Sequence, residues 1–201
     1  MQLSNKLLNL NLPIILASNS PRRKKLLEGL GLTIEIIPSN IDENMFDINQ
    51  NPIQYTSNLS LLKAEDISNK INKNCIIIAA DTIVVFNEKI LNKPIDENDA
   101  FKMLKLLSGN IHFVYTGVTL IDTKNNHKIT KVKKTEVTFR ILEEEEIYAY
   151  IATGSPMDKA GAYGIQDDYG AVFVSNISGC YYNIVGLPLE MLFEMLKEIN
   201  S

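Results

Sequence analysis

Four cations follow one another at Arg22, Arg23, Lys24 and Lys25, directly after the small polar run Ala17-Ser18-Asn19-Ser20 and Pro21. The order predicts a helix start, with Ser20 as the N-cap and Pro21 at the first helical position. A helix N-terminus is already positive, so acids suit its first turn and bases do not. Bases placed there match an anionic ligand: free backbone N–H groups and the helix dipole supply fixed positive potential, and arginine supplies a fork of donors. The competing reading is a basic helix face in water, with Lys24 and Lys25 turned outward. The sequence lacks G-x-x-x-x-G-K-[ST], which disfavours P-loop phosphate handling.

Asp81 interrupts one of the most apolar stretches of the chain, "CIIIAADTIVVF" over residues 75–86. An ionised carboxylate there is costly unless it is paired or holds a metal. It is either a residue turned into a cleft or a structural aspartate bonded to backbone amides. Glu43 lies beside Asp42 in an acidic loop and would by itself be a solvated acid. With a phosphate ligand nearby, a few carboxylates are the expected holders of a hard divalent cation. Lys63 interrupts the apolar side of its helix and Lys93 precedes Pro94. Each is a surface lysine or a second phosphate contact. In "DKAGAYGIQ", residues 158–166, Gly161 and Gly164 permit close backbone approach, and Gln166 offers a base edge both a donor and an acceptor. His112 and His127 stand alone and are given no catalytic role, so a Ser-His-Asp triad is not suggested.

These residues need a frame. Residues 13–17 read as a buried strand, and the helix from Pro21 ends at Gly29 or Gly31. Residues 32–37 alternate as a second strand. A helix spans Pro52 to about Lys70, with Leu59, Leu62 and Ile67 on one side. The apolar strand 75–86 returns through a hairpin turning at Asn87-Glu88. A helix from Asp96 to Leu107 stops near Gly109, and long strands are expected over 111–122 and 129–140. "EEEEIYAYI" carries its acids in the first turn of a helix, "AVFVSNI" reads as a strand, and residues 187–199 as a terminal helix. The mixture of βα units and hairpins gives an α/β class with a mixed sheet, one chain wrapping two lobes around a cleft.

The chain has 201 residues, 45% of them hydrophobic and 22% charged, enough for a real core in a single domain spanning 1–201. A net charge of -4 argues against general nucleic-acid binding and makes the basic run at 22–25 a local feature. Cys75 and Cys180 are too few and too far apart for a zinc site or a disulfide framework, and Cys75 reads as a buried small hydrophobe. The first dozen residues lack a signal-peptide pattern and no apolar run reaches membrane-spanning length, so a cytoplasmic, non-membrane protein is expected.

Taken in order, "LASNSPRRKKLL", "AADTIVV", "KILNKP", "KAGAYGIQ" and "NIVGLPL" resemble the Maf family of nucleoside triphosphate pyrophosphatases, from about residue 13 to residue 195. The resemblance implies a fold similar to the inosine triphosphate pyrophosphatases: a long curved mixed sheet, flanking helices and a deep cleft between two lobes. It also implies cleavage of a nucleoside triphosphate between the α and β phosphates, a divalent cation (Mg²⁺ or Mn²⁺), and a cytoplasmic homodimer. Asp81 matches the family's proton acceptor and, with Glu43, its metal-holding carboxylates. Ser18, Ser20, Arg23, Lys63 and Lys93 match polar positions lining the cleft, taken as phosphate contacts. Arg22, Thr82 and Gln166 match the specificity positions of the branch acting on dTTP and UTP. The branch acting on 7-methyl-GTP tends to carry an aromatic residue, Gln and a Ser-Glu pair at the corresponding places. The sequence departs from the family at Asn19, where Gly or Ala is common, and at Asp167-Asp168, where other members carry Gly or apolar residues. Either aspartate, if it reached the base pocket, would supply the acid the 7-methyl-GTP branch uses. Two other classes fit less well. A sugar nucleotidyltransferase wants a G-x-G-T-R loop, and a non-catalytic nucleotide sensor has no use for Asp81.

Overall fold

The computed structural model describes residues 8, 10–43, 46–47, 50–166 and 168–200. Its elements in chain order are β1 (Ile14–Leu16), α1 (Pro21–Gly29), β2 (Ile34–Ile36), α2 (Pro52–Lys70), β3 (Ile76–Phe86) and β4 (Lys89–Leu91). Then follow α3 (Glu97–Leu107), β5 (Ile111–Asp122), β6 (His127–Phe139), α4 (Glu144–Ile151), two short 3₁₀ turns (Ser155–Asp158 and Ala160–Ala162), α5 (Asp168–Val172), β7 (Val174–Ser178), α6 (Tyr181–Val185) and α7 (Leu189–Ile199). Among the described residues seven strands form one mixed sheet, ordered β2-β1-β3-β5-β6-β7, with β4 paired to β3.

β3 is the organising strand. Ten of its eleven residues are buried, which is why it reads as an unbroken apolar run rather than an alternating one. β1 runs parallel to its first residues, Ile14–Leu16 against Ile76–Ile78. β4 runs antiparallel to its last three, Val84–Phe86. Between those two neighbours, residues 79–83 pair with β5 alone. The sheet therefore has a notch on one side of β3, with Asp81 and Thr82 at its centre. The turn into β4 is made by Asn87 and Glu88, both at positive φ (47° and 63°), the left-handed pair that a two-residue hairpin requires.

Strand alternation then sorts the two faces. Ile76, Ile78 and Ala80 pack with α1 and α7 through Leu27, Leu192 and Leu196. Ile77 and Ala79 pack with α2 through Ala64 and Ile67. By the same period of two, Asp81 points toward α2 and Thr82 toward α1. Beyond the notch a separate apolar cluster takes over, in which Val84 and Phe86 meet Leu104, Leu107, Phe139 and Ile147. The cleft lies where one core ends and the next begins.

Two sequence expectations need correcting. Leu62 is only half-buried; the covered stripe of α2 is Tyr55, Thr56, Leu59, Ser60, Lys63, Ala64 and Ile67, so a lysine occupies an inward position. The strand expected over 171–177 begins only at Val174, because residues 168–172 are helical and β7 pairs irregularly with β6 at Thr138/Phe139. The terminal helix expected over 187–199 is α7, and the short α6 precedes it, the two separated where Gly186 takes φ 113°. Cys75 is buried as expected.

Candidate active site

The four cations of α1 divide in two. Lys24 and Lys25 are exposed, and Lys24 only approaches Glu28 one turn on, at 3.8 Å. Arg22 and Arg23 turn into the cleft. Ser20 caps the helix by accepting from Arg23 N at 3.4 Å, and Ser20 N donates to Ser18 Oγ at 3.2 Å. The Arg23 guanidinium is held at three corners. It donates to Gly186 O at 2.9 Å, to Ser18 Oγ at 3.1 Å and to Thr82 Oγ1 at 3.1 Å. Desolvation pulls its pKa below the usual arginine value, opposed by the charges of Asp81 and Glu43. Arg22 donates to the Asp158 carboxylate at 2.8 Å, closing a contact across the mouth of the cleft.

On the other face of β3, Lys63 reaches Asp81. Its Nζ donates to Asp81 Oδ1 at 2.6 Å and to Glu43 Oε1 at 2.7 Å. Both Lys63 and Asp81 are buried, so the pairing offsets the cost of desolvating each charge. The sequence reading made Lys63 a phosphate contact; here it first ties two carboxylates together, leaving one N–H for anything else. Its reach depends on Gly117, opposite Asp81 on β5, where a side chain would collide with the α2 backbone. Asp81 Oδ2 is buried without a hydrogen-bond partner. Lys93 Nζ stands 3.7 Å from Glu43 Oε2. Burial raises the Glu43 carboxyl, but Lys63, with Lys93 and Arg23, outweighs it and holds the group below the usual glutamate range.

The Gly-rich segment forms the opposite wall. Gly161, at φ 68°, sits against Val84 so closely that a Cβ would come within 2.8 Å of it, and its N–H donates to Asn92 O at 3.1 Å. Tyr163 OH meets His112 Nε2 at 2.8 Å, and Gly164 N donates to Tyr150 OH at 3.1 Å. His112 is thus a buried structural partner, its pKa pushed down to about 4 by desolvation. Ile165 turns inward and Gln166 stands exposed at the cleft. Asp167 and the side chain of Asp168 lie outside the described residues.

These walls enclose a cleft of about 390 Å³. All ten residues given a site role in the sequence reading line it, Ser18, Ser20, Arg22, Arg23, Glu43, Lys63, Asp81, Thr82, Lys93 and Gln166, as does Gly164 but not Gly161. Asp158 and Lys159 line it too, and sequence reasoning gave them no role. Their only signal was their place at the head of the Gly-rich run. Lys159 Nζ donates to Asp158 Oδ1 at 2.8 Å, so Asp158 is held by two cations. No group of three or more His, Cys, Asp or Glu residues forms a metal cage among the described residues. Glu43 with the orphaned Asp81 Oδ2 nevertheless suits Mg²⁺ or Mn²⁺, hard ions commonly held by one or two carboxylates plus substrate phosphates. No helix among the described residues is long and apolar enough to cross a membrane.

Comparison with known proteins agrees with the motifs. A protein of Clostridium botulinum named dTTP/UTP pyrophosphatase is 50% identical over 185 residues, 92% of this chain and 98% of the relative. One of the same name from Clostridium beijerinckii is 49% identical over 187 residues, 93% of this chain and 99% of its own. Among solved structures, a nucleoside-triphosphatase / dITP/XTP pyrophosphatase from Mycobacterium abscessus covers 64% of this chain and 74% of its own at 12% identity, with a TM-score of 0.41, a likeness too distant to bear on activity. The family model described as Maf-like protein matches residues 13–199, and the chain belongs to the Maf family.

Proposed function

We propose that this chain hydrolyses dTTP and UTP to the nucleoside monophosphate and pyrophosphate. The observation that carries the reading is the meeting, in one notch of the sheet, of a basic helix N-terminus with a buried Asp81–Lys63–Glu43 cluster. The names of relatives about half identical over nearly the whole chain support the nucleotide assigned.

The triphosphate lies against the start of α1. Arg23, already fixed by Gly186, Ser18 and Thr82, presents its remaining N–H groups to the phosphates with little ordering cost. Arg22 exchanges Asp158 for phosphate oxygen, and the Ser18 and Ser20 hydroxyls with Lys93 complete the cradle. Water attacks the α-phosphorus, the bond to the bridging oxygen breaks and pyrophosphate leaves. Asp81 Oδ2, the acceptor without a partner, orients that water and takes its proton, while Lys63 fixes the other carboxylate oxygen. Glu43 and Asp81 would hold a Mg²⁺ or Mn²⁺ ion, which would supply neutralisation of phosphate charge. As in phosphoryl transfer generally, positioning and charge neutralisation supply most of the acceleration. Gln166 and Thr82 stand on the base side. We read the working form as a cytoplasmic homodimer, on the resemblance alone.

The test is a panel of nucleoside triphosphates with Mg²⁺, read by pyrophosphate release. Pyrophosphate from dTTP and UTP well ahead of ATP, GTP and 7-methyl-GTP is expected. Asp81→Asn should lower turnover by about 10²-fold or more in a folded protein, the usual worth of a general base. Inorganic phosphate as the product, or none from any nucleotide, overturns the reading.

A further inference from the structure

Eight charged side chains line the cleft among the described residues. Five are cations, Arg22, Arg23, Lys63, Lys93 and Lys159, and three are anions, Glu43, Asp81 and Asp158. The cleft is therefore net positive in a chain whose net charge is -4. Its two candidate metal carboxylates share one ammonium: Lys63 Nζ lies 2.7 Å from Glu43 Oε1 and 2.6 Å from Asp81 Oδ1. Arg23 adds its charge from the other side of β3, near enough for both carboxylates to act on it.

We propose that the divalent cation enters this cleft only with or after the nucleotide, because Lys63 ties the two carboxylates together and neutralises them until the triphosphate brings its own negative charge. A free Mg²⁺ or Mn²⁺ approaching the empty cleft meets a net positive field and carboxylates already neutralised by a buried partner. A triphosphate carries about four negative charges at neutral pH, which reverses the sign of the cleft. Phosphate oxygens and the carboxylates of Asp81 and Glu43, whose Oε2 Lys93 only approaches at 3.7 Å, would then hold the ion. Lys63 keeps Asp81 Oδ1 throughout, so that residue is oriented before the ion binds and is not rebuilt by it. The proposal rests on the pyrophosphatase reading for the identity of the anion, and it adds an order of binding.

The experiment is a Mn²⁺ titration of the full chain followed by electron paramagnetic resonance of free Mn²⁺, with and without the non-hydrolysable analogue α,β-imido-UTP. Without the analogue, the wild type should show no stoichiometric site; with it, one Mn²⁺ per chain. Lys63→Met should gain a Mn²⁺ site in the absence of nucleotide, tighter than wild type by about tenfold or more, since the ammonium that neutralises both carboxylates has gone. Lys63→Arg, which keeps the cation, should behave as wild type. One Mn²⁺ per nucleotide-free wild-type chain, at the affinity found with the analogue, overturns the proposal. So does a folded Lys63→Met chain that gains nothing. If circular dichroism shows Lys63→Met unfolded, the paired wild-type titrations decide alone. Failure of the analogue itself to bind, measured calorimetrically without metal, counts against the pyrophosphatase reading, and the comparison of wild type with Lys63→Met then judges the role of Lys63.

Discussion

Gly117 lies directly opposite Asp81 in the antiparallel pairing of β5 with β3, and a Cβ placed on it would stand 2.3 Å from Thr56 O on α2. The missing side chain is what lets α2 settle onto the sheet at the level of the carboxylate. Thr56 and Lys63 share that helix, so the close approach at one end sets the reach of the ammonium at the other. Gly117→Ala must push the α2 backbone away. A displacement near 1 Å at a catalytic group costs about a hundredfold, and forcing extra volume into a packed contact costs about 1–3 kcal/mol. We expect kcat/KM to fall by about that factor and urea denaturation to show a loss in that range. An unchanged rate would mean that Lys63 is not set by this contact.

Arg22 and Lys25 test whether the basic run is a defined phosphate site. Arg22 is in the first turn and faces the cleft, whereas Lys25 is exposed to solvent. A charge-assisted contact is worth about 1.5–3 kcal/mol, or about ten- to a hundredfold in kcat/KM. Arg22→Ala should lose that much and Lys25→Ala almost nothing. Equal losses would favour a diffuse basic surface.

Thr116 sits behind Thr82, a proposed specificity position, and fixes its hydrogen. Its hydroxyl donates to Asn183 O at 3.0 Å, so in its 2.9 Å contact with Thr82 Oγ1 it accepts and Thr82 donates. Thr82 in turn accepts from Arg23 Nη2 at 3.1 Å. The Thr82 hydrogen is thereby committed inward and only its lone pairs face the cleft. Thr116→Val keeps the shape and breaks the chain. It should cost about 1–3 kcal/mol of stability and raise KM by about tenfold as Arg23 loosens. Thr116→Ser restores the hydroxyl and should recover KM. A serine variant as poor as the valine one would assign the effect to packing.

Much of this was legible in the sequence because the signals are local. The Ser20 cap, the Asn87-Glu88 turn and the acidic first turn of α4 each depend on residues within a few positions of one another. So does the anomaly of Asp81 in its apolar run. What could not be read are the partners. Lys63 meets Asp81 across 18 residues and Arg22 meets Asp158 across 136, and those distances close only when β3 is flanked by α1 on one face and α2 on the other. Sequence also misjudged Ala171 and Val172, whose apolar side chains suggested a strand although the chain is helical there before β7 begins.

His112 makes stability depend on pH. It is fully buried against Tyr163 and Phe139, and its pKa is pushed from 6.5 to about 4 by desolvation. The unfolded chain therefore takes up this proton at higher pH than the folded one. The contribution is fully present above 6.5 and is lost as the pH falls toward 4. Its slope approaches about 1.4 kcal/mol per pH unit, and its total is about 3 kcal/mol. Ordinary carboxylate reference values lie at about 4, at the foot of this window, so His112 governs the part of the curve above about pH 5. Chemical denaturation between pH 7 and 5 should show the decline, and His112→Gln should flatten it. A decline of the same slope in the variant would place its origin elsewhere.

Gln166 carries the last prediction, that of base preference. The wall that ends in Gln166 is pinned at three points: Gly161 N on Asn92 O, Tyr163 on His112, and Gly164 N on Tyr150. Ile165 is buried, so the next side chain is turned to the cleft. Uracil and thymine share an edge of carbonyl, N–H and carbonyl, which an amide meets with one donor and one acceptor. A carboxylate keeps only the acceptor and faces a base carbonyl with negative charge. A site built to hydrogen-bond its ligand discriminates by large factors once a polar partner is lost. Gln166→Glu should therefore lower kcat/KM for dTTP and UTP by about tenfold or more, a lost or repelled hydrogen bond being worth about 1.5 kcal/mol. Because 7-methylguanine carries a positive charge, the same change should leave 7-methyl-GTP unaffected or improve it. The side chain is exposed, so melting temperature should hold. A variant that loses activity equally on every nucleotide would show that Gln166 supports the loop and does not read the base.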